Sequence, residues 1–208
     1  MVTLVVYDAS DTTYLQSDMR TGIYPYIQWT WICIGGVWLA AALASKRAAR
    51  TEPALSRLAH VAVMAAACAL LYSAARRAGP LAWRFVPDTP AIAWTGFGLT
   101  AAGCAFAIWA RLLLGGNWSA SVTVKRDHEL IRRGPYTIVR HPIYSGLLLG
   151  VLGTAVAFGE LRGLLALPVA FAGWLTKSRL EEAFMIQQFG AAYAQYQREV
   201  KALIPFVL

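Results

Sequence analysis

Residues 128–146 read HELIRRGPYTIVRHPIYSG, a stretch that gathers Arg132, Arg133, Arg140, His128, His141, Tyr136 and Tyr144. Pro135, Pro142 and Gly134 forbid one straight helix through it, because each proline lacks an N–H and disfavours helix in the residue before it. Guanidinium, imidazole and phenol groups held in such a turn can bind an anion, share a proton or pack on a planar or cationic ligand. A second group follows at Glu181 and Glu182 in LEEAFMIQQFG. Paired carboxylates can take an ammonium or a proton. Successive helical residues point about 100° apart, so at most one of the two faces a given pocket squarely. The plain alternatives are an ordinary loop for the first stretch and a solvated helix face for the second, with Lys177 at i−4 of Glu181. Content favours a site, since these side chains are costly to hold at a membrane face without a role.

The surrounding elements are those of a membrane protein. Of 208 residues, 58% are hydrophobic and 14% charged, and the mean hydropathy is +0.49, values outside the range of soluble domains. The formal charge of +8 would suggest nucleic acid in a soluble chain. Here the bases flank apolar runs, where they set topology and meet anionic headgroups, so no nucleic-acid partner is expected. Cys33, Cys68 and Cys104 sit singly in different apolar runs without ligand spacing, which reads as packing and implies no metal or disulfide framework. No basic stretch precedes an apolar one at the start of the sequence, so no cleavable signal is read there.

The pattern predicts an all-α integral membrane fold, one domain over 1–208 with five spans at about 26–44, 58–75, 92–114, 143–158 and 161–176. Residues 1–22, with Asp8, Asp11 and Asp18, read as a polar tail or short surface helix. Tyr24, Tyr26, Trp29 and Trp31 open the first span as an interface belt. Gly96, Gly98 and Gly103 in the third allow close helix approach. Residues 115–141 form a polar connector with a β-prone piece at Ser121–Val124. Only Gly159 and Glu160 separate the last two spans, which must form a tight hairpin. The fifth continues as an amphipathic helix with Phe184, Met185 and Phe189 at helical spacing.

Lysine and arginine counts orient the spans. Thirteen flank one face: Lys46, Arg47, Arg50 and Arg57 after span one, Lys125, Arg126, Arg132, Arg133 and Arg140 in the connector, Lys177, Arg179, Arg198 and Lys201 in the tail. Five flank the other: Arg20, Arg76, Arg77, Arg84 and Arg162. The N-terminus is therefore expected outside, and the connector, the tail and both polar groups in the cytoplasm. His60 reads as a packing or interfacial histidine and Trp118 equally as an interface anchor or a pocket wall. Tyr193 and Tyr196 read as a helix stripe lying on the membrane surface.

GPYTIVRHPIYSG (134–146) followed by LEEAFMIQQFGAAYAQYQREVKALIP (180–205) resembles the isoprenylcysteine carboxyl methyltransferase family, which is related to the phospholipid N-methyltransferases. The resemblance covers roughly the C-terminal half. Upstream, Trp118–Ser119 and the DHEL of 127–130 fit bacterial members, which implies a bacterial inner membrane. It implies an S-adenosylmethionine-dependent methyltransferase whose cofactor-binding half is about 115–208. The acceptor would be a lipophilic, isoprenoid-like carboxylate, a small molecule or a prenylated substrate, arriving from the bilayer among membrane lipids. The implied cofactor residues are His128, Leu130, Gly134, Pro135, Tyr136, Arg140, His141, Tyr144 and Glu181. The implied catalytic ones are Arg140, Tyr144 and Glu182. Arg140 or His141 would take the cofactor carboxylate and a glutamate the ammonium, with Glu181 the better placed and Glu182 holding Arg140 or Arg179. Tyr136 and Tyr144 would meet the adenine or the sulfonium. A carboxylate acceptor is already ionised and needs no base, whereas an amine does. The alternatives are a phospholipid or amine N-methyltransferase, an NADPH-dependent sterol-type membrane reductase, which shares a related C-terminal signature, and a non-enzymatic scaffold.

Overall fold

The computed structural model describes the backbone of residues 12–43, 48–51, 53–72, 79–115, 123–125 and 130–208, and side chains within 22–41, 53–72, 79–115 and 130–208. His128, Asp127, Trp118 and Ser119 lie outside the described residues. Among the described residues six α-helices follow in order: α1 Thr12–Leu43, α2 Ala54–Tyr72, α3 Pro90–Leu114, α4 Pro142–Phe158, α5 Leu161–Phe189 and α6 Ala191–Glu199. The fold is helical but not purely so. A short strand β1, Ala48–Thr51, pairs antiparallel with β2, Thr123–Lys125. β2 overlaps the β-prone piece expected at Ser121–Val124; β1 carries no strand signal.

Helix boundaries follow local chemistry. Pro90 and Pro142 occupy first-turn positions of α3 and α4, where a missing N–H leaves nothing unpaired. Thr89 caps α3, its hydroxyl accepting from the Ile92 N–H at 3.4 Å. Gly159, at φ 68°, ends α4, and Gly190, at φ 53°, ends α5. Both lie in the left-handed region that favours glycine. α1 is longer than expected: it starts at Thr12 and runs through Pro25, so 12–22 is neither tail nor separate surface helix. The proline forfeits one backbone bond, and the rest of the helix bridges it. α5 does extend past its apolar half through LEEAFMIQQF.

Among the described residues α2 and α3 are long and apolar enough to cross a membrane, with mean hydropathies of 1.8 and 1.7, and α4 is a shorter apolar helix. Leu55, Leu58 and Val61 on α2 are exposed, an apolar face of the kind that meets lipid or another protein.

α3 and α4 form the tightest seam. A Cβ added to Gly96 would lie 2.4 Å from the Ala157 nitrogen, and one on Gly146 would lie 2.5 Å from the Gly103 carbonyl oxygen. Such backbone approach needs small residues. Gly98, also expected to permit close approach, has nothing within 4 Å. Thr100 and Thr154 join across this seam at 3.2 Å, and the Trp31 indole of α1 donates to Thr154 at 3.1 Å.

The two ends of the bundle are distinct. At one, β1–β2 ties the α1–α2 connection to the α3–α4 connection, and Val139 bridges Lys201 in parallel. At the other, Arg84 bridges Glu160, and its guanidinium donates to the Phe158 carbonyl at 3.0 Å. The proline-broken stretch and the glutamates share the first end.

Candidate functional site

The RHP turn is fixed by its own backbone. Gly134–Thr137 forms one 3-10 turn, Gly134 lies at φ 59°, and Thr137 donates its hydroxyl to the Gly134 carbonyl at 2.7 Å. Arg140 and His141 then lie beside the chain after α6. Their N–H groups donate to the Lys201 and Ala202 carbonyls at 2.8 and 2.9 Å. The first turn of α4 is pinned to the same segment, since the Ser145 hydroxyl donates to the Leu203 carbonyl at 2.6 Å.

The α4–α5 hairpin brings Glu181 and Glu182 over this turn. Glu182 Oε1 accepts from Arg140 Nε at 2.8 Å and lies 2.6 Å from Arg140 Nη2. His141 Nε2 lies 3.1 Å from the same oxygen, and Gln197 donates to Oε2 at 3.0 Å. Arg140 Nη1 donates to the Gln197 carbonyl at 3.2 Å and also to that of Val200. Arg140 is thus tied to both α5 and the end of α6. Of the two partners expected for Glu182, the structure supplies Arg140, while Arg179 is exposed.

Glu181 is bound differently. It accepts from the Tyr144 hydroxyl at 2.5 Å, and its second oxygen lies 3.4 Å from His141 Nδ1. The Tyr144 ring stacks between His141 (centroids 5.8 Å, 13°) and Trp174 (6.3 Å, 15°). Glu181 keeps 24% of its side chain exposed against 13% for Glu182. It can therefore accept further hydrogen bonds from a ligand.

The electrostatics follow. Burial pulls the His141 imidazole down, but hydrogen bonds and charge from Glu181 and Glu182 more than reverse this, so its pKa is raised. Burial pushes Glu182 up, but His141 and Arg140 outweigh it and leave the carboxylate lowered. The Arg140 guanidinium and the His141 imidazole thus face two carboxylates beside an aromatic stack. A further cation fits beside Glu181, against the carboxylate and the ring faces.

Of the other residues singled out from sequence, Leu130 is half-buried at the edge of the described connector. Pro135 and Tyr136 are buried. The Tyr136 hydroxyl donates to the Ala110 carbonyl at 3.4 Å, so this ring is committed to the bundle and Tyr144 is the phenol beside the glutamates. Tyr193 and Tyr196 do not lie on a membrane surface. Both are buried, and the Tyr196 hydroxyl donates to the Tyr136 carbonyl at 2.5 Å. Arg132 sits 5.0 Å from the Tyr196 ring and pairs with Glu199. Burial pushes Tyr193 well up and Tyr196 to about 12. The spacing that suits a bilayer surface suits an intramolecular groove equally, which is why sequence could not separate them. Gln197 and Trp174 were missed. Trp174 lies seven residues before Glu181 on one helix, two turns apart, a spacing that could have marked it. Nothing local marks Gln197; only the bend at Gly190 returns α6 to α5.

Residues 91–192 match the family model described as phospholipid methyltransferase. Over 101 residues the chain is 35% identical to the protein-S-isoprenylcysteine O-methyltransferase of Schizosaccharomyces pombe, covering 47% of this chain and 43% of that one. It is also 30% identical over 101 residues to protein-S-isoprenylcysteine O-methyltransferase B of Arabidopsis thaliana, covering 47% of this chain and 51% of that one. The chain spans about half the length of these relatives or less. A solved structure of a eukaryotic intramembrane Ras methyltransferase, an isoprenylcysteine carboxyl methyltransferase, superposes with a TM-score of 0.48 at 26% identity, covering 76% of this chain and 55% of that one.

Proposed function

We propose, for a chain whose residues 91–192 match the phospholipid methyltransferase family model and which is similar to isoprenylcysteine O-methyltransferases, that it is a membrane-embedded S-adenosylmethionine-dependent methyltransferase. The single observation that carries this reading is Glu181. It is a partly open carboxylate bonded to Tyr144, beside the His141–Tyr144–Trp174 stack. That donor set fits a ligand with an ammonium and a sulfonium. Glu181 holds the ammonium, and the faces of Tyr144 and Trp174 shield the sulfonium from water. Backbone of the Gly134–Pro135 turn and of Leu130, with His128 nearby in sequence, reads the adenine. Arg140, Glu182 and His141 form the rigid wall behind. The one Arg140 Nη2 N–H left over from its bonds to Glu182 and to the Gln197 and Val200 carbonyls meets the cofactor carboxylate or the anionic acceptor.

When bound, the cofactor supplies an electrophilic methyl group in line with its sulfonium bond. The protein then has only to align an acceptor and exclude water. A carboxylate acceptor suits the site best, because it is already ionised and needs no base, and both His141 ring nitrogens already face the Glu181 and Glu182 carboxylates. The acceptor class is a lipophilic, isoprenoid-like carboxylate that reaches the site from the bilayer. A second reading, an amine acceptor, rests on the Glu181 carboxylate beside the Tyr144 hydroxyl, whose oxygens take the proton an amine must give up, and on the phospholipid methyltransferase match.

Five spans with the site in the cytoplasm of a bacterial inner membrane complete the reading. The β1–β2 ribbon and the Val139–Lys201 bridge gather the base-rich connections at one end, as the charge rule requires of a cytoplasmic face. The test is transfer of a radiolabelled methyl group from S-adenosylmethionine to an S-isoprenylcysteine and, in parallel, to an aminophospholipid. Label released as methanol by alkali supports the carboxylate reading. Alkali-stable label on the amine replaces it with the second. No transfer, with oxidation of NADPH instead, would assign the chain to the reductases.

A further inference from the structure

The segment that pins the RHP turn goes on to form an apolar projection. Ala202 and Leu203 are buried, and their carbonyls hold His141 and Ser145. Beyond them the chain closes on itself: the Leu203 and Ile204 N–H groups both donate to the Leu208 carbonyl at 2.7 Å, and Val207 N–H donates to the Ile204 carbonyl at 3.1 Å. With the backbone satisfied internally, the side chains turn outward. Phe206 is 94% exposed, Val207 70% and Ile204 41%. Phe206 sits at φ 64°, a left-handed conformation unfavourable for a bulky residue. Strain and exposure on one phenylalanine indicate a contact outside the chain.

Position decides what that contact is. Ser145 lies in the first turn of α4, where the apolar helix begins, and its bond to Leu203 sets the turn at that level. Arg198 and Lys201, both exposed, precede the turn, and basic residues next to apolar ones suit an anionic lipid boundary. Resting on the membrane reading above, we propose that the 204–208 turn is an interfacial anchor, with Phe206 and Val207 seated in the headgroup–acyl boundary on the site's side of the bilayer. Because residues 201–203 carry the carbonyls that hold Arg140, His141 and Ser145, the anchor fixes the wall of the site relative to the membrane plane.

The test places an environment-sensitive nitrobenzoxadiazole label at Val207→Cys after Cys33, Cys68 and Cys104 are replaced by Ala. The full chain is reconstituted in phosphatidylcholine–phosphatidylglycerol vesicles with spin-labelled lipids of shallow or deep quencher. The expected result is quenching by the shallow lipid, lost when Phe206→Asp is added. A label at Ala66→Cys, exposed in the middle of α2, is the control for the membrane reading and should be quenched by the deep lipid. A quenched Ala66 label with a Val207 label reached only by aqueous iodide overturns the anchor alone. Failure at both positions overturns the membrane reading. Self-quenching between copies, without lipid quenching at Val207, would assign the turn to a second copy and likewise overturn the anchor.

Discussion

Glu181→Gln and Glu182→Gln should fail in opposite ways. Glu182 accepts from Arg140, His141 and Gln197, with side-chain exposures of 13% for Glu182 and 10% for Arg140. Removing its charge leaves the buried Arg140 guanidinium without its carboxylate. Breaking such a pair costs roughly 3–5 kcal/mol, and the amide oxygen of Gln still accepts one bond, so about 2–3 kcal/mol is expected for folding. At roughly 2–4 °C per kcal/mol for a chain of this size, the melting temperature should fall by about 5–10 °C. Glu181 has one short bond, to Tyr144, and a 3.4 Å contact with His141. Its Gln variant should lose about 1 kcal/mol of stability or less. Its affinity for S-adenosylhomocysteine should fall about ten- to a hundredfold, the loss of one charge-assisted bond. Thermal unfolding and calorimetric titration, on both variants in one detergent, read the two effects separately. Equal losses of affinity, or a larger affinity loss in Glu182→Gln than in Glu181→Gln after correction for folding, would refute the division of roles.

Other outcomes follow from the same geometry. The Glu182 carboxylate has a lowered pKa, so its stabilisation is complete above the ordinary carboxylate range and lost as pH falls through its lowered value. His141 is raised, so its contribution is complete below its ordinary pKa and lost as pH rises through its raised value. The melting temperature should therefore plateau between these limits, and Glu182→Gln should lose the acid shoulder but keep part of the alkaline one, because Glu181 still faces His141. Gly146→Ala drives a Cβ to 2.5 Å from the Gly103 carbonyl oxygen and should destabilise by about 1–3 kcal/mol. Gly98→Ala, with nothing within 4 Å, should be neutral or stabilising by up to about 1 kcal/mol, as thermal unfolding will show. Tyr196→Phe removes the hydroxyl bonded to the Tyr136 carbonyl and should cost about 1 kcal/mol. Cysteines engineered near Asp11 and near Val207 should label from opposite sides of sealed vesicles; labelling of both from one side would remove the five-span reading.

The site was legible where its chemistry is local. The prolines of GPYTIVRHPIYSG mark the turn, and the short Gly159–Glu160 link forces α5 back along α4, so the glutamates had to return to the RHP end. Which glutamate meets which partner depends on helix rotation, and the expected Arg140–Glu182 pairing was one of two open choices. The long-range clamps were not legible. Arg140 and His141 bond to carbonyls of Lys201 and Ala202, and backbone acceptors carry no sequence signature. β1 reads AART and gains its strand form only from pairing with β2. Gly96, Gly98 and Gly103 were equivalent in sequence, yet only Gly96 and Gly103 face α4.

Titration of the reconstituted wild-type protein with S-adenosylhomocysteine, beside NADPH, bears most directly on the pocket built around Glu181, Tyr144 and His141. Saturable one-site binding of S-adenosylhomocysteine, weakened in Glu181→Gln and absent for NADPH, is the expected result. Binding of NADPH without S-adenosylhomocysteine, or S-adenosylhomocysteine binding indifferent to Glu181→Gln, would contradict it.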